Sequence, residues 1–157
     1  MAMHDAFMIG LNWLKFGFAP EYQNRSECQV CHAIETMDHI LTKCQANGQA
    51  QIWKFTRQLW YQREKSDLHI TLGTILASPS TKLKENRKKK DGTDRLYRLI
   101  MTESAHLIWK LRCERVIKKE GEQTSPAEIK NRWVGTMDAR LKLDRKMTNV
   151  KFTVFCM

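Results

Sequence analysis

Residues 28–44 read CQVCHAIETMDHILTKC and place three cysteines and two histidines within 17 residues. Cys28 and Cys31 stand two residues apart, which brings two thiolates to one side of a tight turn. His39 and Cys44 follow, so the full pattern is C-x2-C-x7-H-x4-C. Three sulfurs and one imidazole nitrogen suit a tetrahedral zinc ion, and four protein ligands leave no open position for a substrate water. The cofactor expected is therefore Zn2+ in a structural role, held by Cys28, Cys31, His39 and Cys44.

The local helix reading fits that set. Thr36 is placed to cap a short helix, Asp38 falls in its first turn, and His39 rides on it. Along a regular helix, five residues end about 140° off the starting face. Cys44 must then sit where the helix loosens, near the break at 45–48. His32 is an alternative ligand, but it follows Cys31 directly and tends to point away from a metal bound by its neighbour. Cys113 reads as packing on a later helix, and Cys156 lies at the terminus. The alternative without metal is three free thiols in a helical core, with His39 satisfied by a hydrogen bond.

Composition sets the surroundings. The chain has 157 residues, 42% of them apolar, which suffices for one modest core. No apolar run approaches the roughly 20 residues that span a bilayer, and no secretory leader is visible. An intracellular protein is expected, with no membrane partner, so clustered cysteines point to metal rather than disulfides. The net charge is +10. Residues 1–81 balance seven basic against seven acidic groups, whereas 82–90 carry six against one. That excess favours anionic partners, above all nucleic acid, and is compatible with the nucleus. The competing reading is a solvated surface.

Hydrophobic periodicity predicts helices throughout. Residues 3–17 space Phe7, Met8, Leu11 and Leu14 helically; 51–62 align Ile52, Trp53, Thr56, Leu59 and Trp60. A turn or two of helix is expected within 67–78. The longest stripe, Leu96, Leu99, Ile100, Leu107, Ile108 and Leu111, ends in basic residues before Gly121. Ser125, Pro126 and Glu128 open a last helix, carrying Ile129, Trp133, Met137 and Leu141 every four residues. The last two helices are expected to pair as a hairpin. The fold class is all-α: a small zinc-knuckle-like site followed by a helical bundle or hairpin. The divisions expected are 1–77, a basic flexible linker at 78–93, a two-helix segment at 94–148 and a tail at 149–157.

The run C-x2-C…ETMDHIL-x2-C resembles the zinc-binding region near the end of reverse-transcriptase polyproteins in LINE-type (non-LTR) retroelements. MHDAF-x-IG-x2-W before it and TESAHLIWKLRCERVI…EI-x-NRW…RL-x2-D after it are similar to the segment downstream of ribonuclease H in fungal elements of this kind. The likeness covers roughly 3–148. It implies an accessory region whose polymerase and ribonuclease H would lie upstream, in a partial or degenerate copy. One departure is His32, where a glycine often follows the second cysteine of such a turn.

Catalysis is not expected. Ribonuclease H chemistry gathers carboxylates around two metal ions, whereas Asp5, Glu35, Asp38, Asp94, Glu103 and Asp144 lie on separate segments, mostly at helix ends. Glu103 and His106 read as a polar pair bridging helices. No small-molecule substrate is implied. Two function classes remain: a nucleic-acid-binding module, or a helical cap for protein contact. In the first, Lys82, Lys84, Arg87, Lys88, Lys89, Lys90, Arg112 and Arg115, with Lys118 and Lys119, would meet phosphate. Trp53, Trp60 or Trp109 would stack on bases if exposed.

Overall fold

The computed structural model describes residues 7–15, 17–83, 91–118 and 121–148. Among them the architecture is all-α, and the one extended pairing is an isolated bridge between Glu27 and Ile34. The α-helices are α1 (Pro20–Gln23), α2 (Gln49–Glu64), α3 (Leu72–Ala77), α4 (Asp91–Cys113) and α5 (Pro126–Met147). Tight 3-10 turns at Gly10–Leu14 and Asn24–Ser26 lead into the cysteine loop. Wider π turns, His39–Lys43 and Glu114–Lys118, end the loop's short helix and α4.

Helix α5 starts where its sequence signals place it. The Glu128 N–H donates to Ser125 Oγ at 3.2 Å, and Pro126 occupies the first turn, where a missing N–H costs nothing. Ile129 and Met137 are buried, with Trp133 and Leu141 packed at the margin. Helix α4 adds Leu99, Ile100, Leu107, Ile108 and Leu111 to the same core, and α2 adds Ile52, Trp53 and Trp60. Helices α4 and α5 run antiparallel. Ion pairs mark the seam: Arg95–Asp144 at 2.7 Å, Glu103–Arg140 at 3.0 Å and Glu114–Arg132 at 2.6 Å. Hydrogen bonds from Arg132 hold the Glu114 carboxyl below the usual carboxylate range.

Where α2, α4 and α5 meet, the core is polar at one point. Thr56 and Ser104 are fully buried, their hydroxyls 2.6 Å apart. Thr56 Oγ1 donates to the Ile52 carbonyl at 2.8 Å, which leaves Ser104 to donate to Thr56. Trp133 Nε1 reaches both hydroxyls, at 3.3 and 3.4 Å. Small side chains let the helices approach, and their mutual hydrogen bonds remove the penalty of burying them.

Two expectations are corrected. The helix read over 3–17 is, in its described part, a five-residue 3-10 turn with Leu11 and Leu14 exposed. Gly10 breaks the periodicity: its φ is 50°, and a Cβ there would overlap the Glu35 carbonyl oxygen. The segments 1–77 and 94–148 contribute to one core. The linker expected over 78–93 is narrower on both sides. Ser78 is fully buried, Leu83 packs on the core with its N–H donating to Asp94 Oδ1 at 3.0 Å, and α4 begins at Asp91. Residues 84–90 and the tail 149–157 lie outside the described residues. Among the described residues, no helix is long and apolar enough to cross a membrane.

Candidate metal centre

A short hairpin presents the first two cysteines. Glu35 N–H donates to the Ser26 carbonyl at 3.0 Å, Cys28 N–H to Ala33 at 2.8 Å, and His32 N–H to Cys28 at 2.8 Å. The chain then crosses to Thr36, whose hydroxyl accepts the His39 N–H at 3.0 Å, the cap that the sequence indicates. Lys43 and Thr42 both bond Asp38 and hold its carboxyl below the usual range.

The π turn resolves the angular mismatch between His39 and Cys44. Cys44 N–H donates to the His39 carbonyl at 2.8 Å, an i to i+5 bond. Widening the turn from four residues to five returns residue i+5 to the side of residue i. The helix loosens at Cys44, as its spacing from His39 requires. Loosening frees carbonyls, and the Leu41 oxygen is taken by Trp53 Nε1 at 2.6 Å and Gln49 Nε2 at 3.1 Å. The start of α2 is thereby clamped to the loop. Gly48, with φ 117°, lets the chain enter α2 hard against Leu111, where a Cβ would overlap.

The four candidate ligand atoms lie within 4.8 Å of one another. Cys44 Sγ is 3.7 Å from Cys28 Sγ and 4.0 Å from Cys31 Sγ. Bonds of about 2.3 Å to a tetrahedral ion would set sulfurs roughly 3.8 Å apart. Cys28, His39 and Cys44 are buried and Cys31 is half-buried. His39 Nε2 is buried beside the three sulfurs with no nitrogen or oxygen partner. These residues can hold a metal ion. Neither His32 nor Cys113 belongs to the set.

The thiols are electrostatically unequal. Burial alone would raise Cys28, but hydrogen bonding from His39, the Val30 and Cys31 backbone and Cys44 outweighs it and lowers the thiol to about 7. Burial pushes Cys44 up to about 12, with the neighbouring Cys28 adding to the rise. Gln45 N–H donates to Cys31 Sγ at 3.2 Å. Backbone donors aimed at sulfur suit thiolate ligands rather than neutral thiols.

His32 occupies the position after the second cysteine with φ 51°, the left-handed region glycine enters freely. Histidine tolerates it at a cost of about 1–2 kcal/mol. His32→Gly is expected to keep the metal and to move the thermal midpoint by a few degrees at most, the released strain being offset in part by glycine's larger chain entropy. Calorimetry of the metal-loaded variant checks this, and loss of the metal would contradict it.

The basic residues fare differently. Arg112 and Arg115 do not face solvent: they are 3% and 7% exposed and share one fully buried carboxylate, Glu35. Arg112 Nε donates to Glu35 Oε2 at 2.8 Å, and Nη2 reaches the same oxygen. Arg115 Nη2 is 3.9 Å from Oε1. Neither guanidinium is free to contact phosphate, and Glu35 is an interior charge rather than a helix-end cap. Trp53 and Trp60 are core residues, so neither offers a stacking face. Trp109 is half-buried under Phe7 and Arg112. Lys82 and Lys118 are exposed; Lys84, Arg87, Lys88, Lys89, Lys90 and Lys119 lie outside the described residues. Glu103 bridges helices, with Arg140 as its partner.

Fold and site together define an all-helical domain with a buried three-sulfur, one-nitrogen cluster packed against its longest helix. No protein-family model, curated protein or solved structure matches this chain.

Proposed function

We propose that this chain is a non-catalytic zinc-binding accessory module, of the kind that accompanies reverse transcriptase and ribonuclease H in LINE-type retroelements, and that it binds nucleic acid without sequence preference. The Cys28, Cys31, His39 and Cys44 cluster carries the reading. Thiolate-rich tetrahedral sets select zinc among the common divalent ions, and a closed four-ligand shell serves folding rather than catalysis. Binding to nucleic acid is supported by the net charge of +10 and by the outer face of α2 and its C-terminal cap, where Lys54, Arg57 and Lys65 are exposed around the exposed ring of Tyr61. Lys65 Nζ lies 5.8 Å from that ring centre. An exposed aromatic flanked by cations suits a stacked base between phosphates.

Filter binding of a single-stranded oligonucleotide at rising salt tests it. Four or five phosphate contacts from 82–90 would give a slope of log K against log salt near −3 to −4, at roughly −0.7 to −0.9 per contact. Replacing Arg87, Lys88, Lys89 and Lys90 with Ser is expected to flatten that slope by about three and to leave zinc content unchanged. Unaltered binding by the quadruple variant, or no binding tighter than about 10⁻⁴ M in either protein, would favour the second reading, a protein-contacting cap. Exposed Leu11, Leu14, Phe18, Tyr22 and Ile34 in the N-terminal segment support that alternative.

A further inference from the structure

We propose that Arg115 is the counter-charge of the metal cluster: a positioning residue that balances the negative charge left by three thiolates around a divalent ion. The inference rests on the metal reading above. Three thiolates and a neutral imidazole around a dication sum to −1. The adjoining interior holds Arg112 and Arg115 against the single carboxylate of Glu35, which sums to +1. A buried unpaired charge is expensive, so each group is incomplete without the other.

The geometry assigns the surplus to Arg115. Arg112 spends its Nε and Nη2 on Glu35 Oε2. Arg115 stands beyond hydrogen-bonding range of Glu35 at 3.9 Å, and Oε1 has no hydrogen-bond partner. Arg115 also lines, with Cys44 and Ala46, the narrow gap between the cysteine loop and α4. Glu35 lies in the loop between the ligands Cys31 and His39, whereas Arg112 and Arg115 belong to α4 and the π turn that ends it. Metal loading therefore tightens the docking of α4 onto the loop, and the docked arginine tightens the metal.

The test uses the full chain, with zinc affinity read by competition against a chromophoric chelator and cobalt(II) as the spectroscopic probe. Arg115→Met and Arg115→Gln are expected to weaken zinc by about 10- to 100-fold, the range for lost outer-sphere partners. Arg115→Lys should recover most of the affinity. Lys118→Met, which removes an exposed cation three residues on, should change nothing. In the cobalt form, losing the cation should shift the thiolate-to-metal charge-transfer band to lower energy, because the sulfur electrons are less stabilised. A merely structural Arg115 would lower the stability of metal-free and metal-loaded protein alike and leave that band in place. Parent-like zinc affinity in both neutral variants, or an Arg115→Lys variant as weak as Arg115→Met, would overturn the proposal. A parent chain that binds neither zinc nor cobalt would instead overturn the metal reading on which it rests.

Discussion

Cys31→Ser is expected to abolish zinc binding and to unfold the chain from Ser26 through the first turns of α2. Structural zinc contributes on the order of 10 kcal/mol or more to folding its site, which rivals the whole stability of an ordinary domain at about 5–15 kcal/mol. Around the cysteines themselves the apolar contacts are only Val30 and Ala46, and the extended pairing is a single bridge; Ile40 and Leu41 on the π turn join the far end of the loop to the main core. Loss should spread to α2 because Trp53 and Gln49 bond the Leu41 carbonyl on the π turn. The α4–α5 seam, fixed by its own ion pairs and apolar contacts, should outlast it. Cys113→Ser is the control, since that thiol stands outside the cluster. Elemental analysis gives the metal content, and amide exchange locates the loosened segment. Full zinc occupancy in Cys31→Ser, or equal loss in Cys113→Ser, would sink the assignment.

What the sequence made legible was whatever short-range spacing controls. Ser125, Pro126 and Glu128 mark the start of α5 by local hydrogen bonding alone. The stripe from Leu99 to Leu111 needs only the helical period. The cysteine pattern identified its four residues, and the poor angular fit between His39 and Cys44 already required an unwound turn. What stayed hidden depends on distant contacts. Gly10 looked like a weak point in a helix, yet its backbone runs so close to the carbonyl of Glu35, far along the chain, that no side chain fits there. Arg112 and Arg115 looked like part of a basic surface because charge count says nothing of direction. One clue was present: Arg112 stands four residues after Ile108, and Arg115 four after Leu111, so both continue the apolar stripe of α4. A cation on a core stripe calls for a buried anion, and Glu35 was available in the metal loop.

The same buried charges carry the second large effect. Glu35→Gln is expected to destabilise the protein by about 3–5 kcal/mol, the usual consequence of removing one partner from an interior ion pair. The amide keeps the shape and can still accept from Arg112, so the loss reports charge rather than volume. Arg112, 3% exposed, would then stand in the interior without a carboxylate, and Arg115, 7% exposed, would face only the charge of the cluster. The comparison is Glu103→Gln, which neutralises the partner of the half-exposed Arg140. Solvent screens that pair, and about 0–1 kcal/mol is expected. Urea unfolding of the metal-loaded proteins gives both values under one condition. Replacing Glu35, Arg112 and Arg115 together by Met should recover much of what Glu35→Gln loses in metal-free protein, because an apolar trio asks for no compensation. In metal-loaded protein the trio should recover less, since the cluster's own negative charge would then lack its cation. Equal shifts for Glu35→Gln and Glu103→Gln would mean that water reaches the arginines, and the interior charge balance between loop and α4 would not hold.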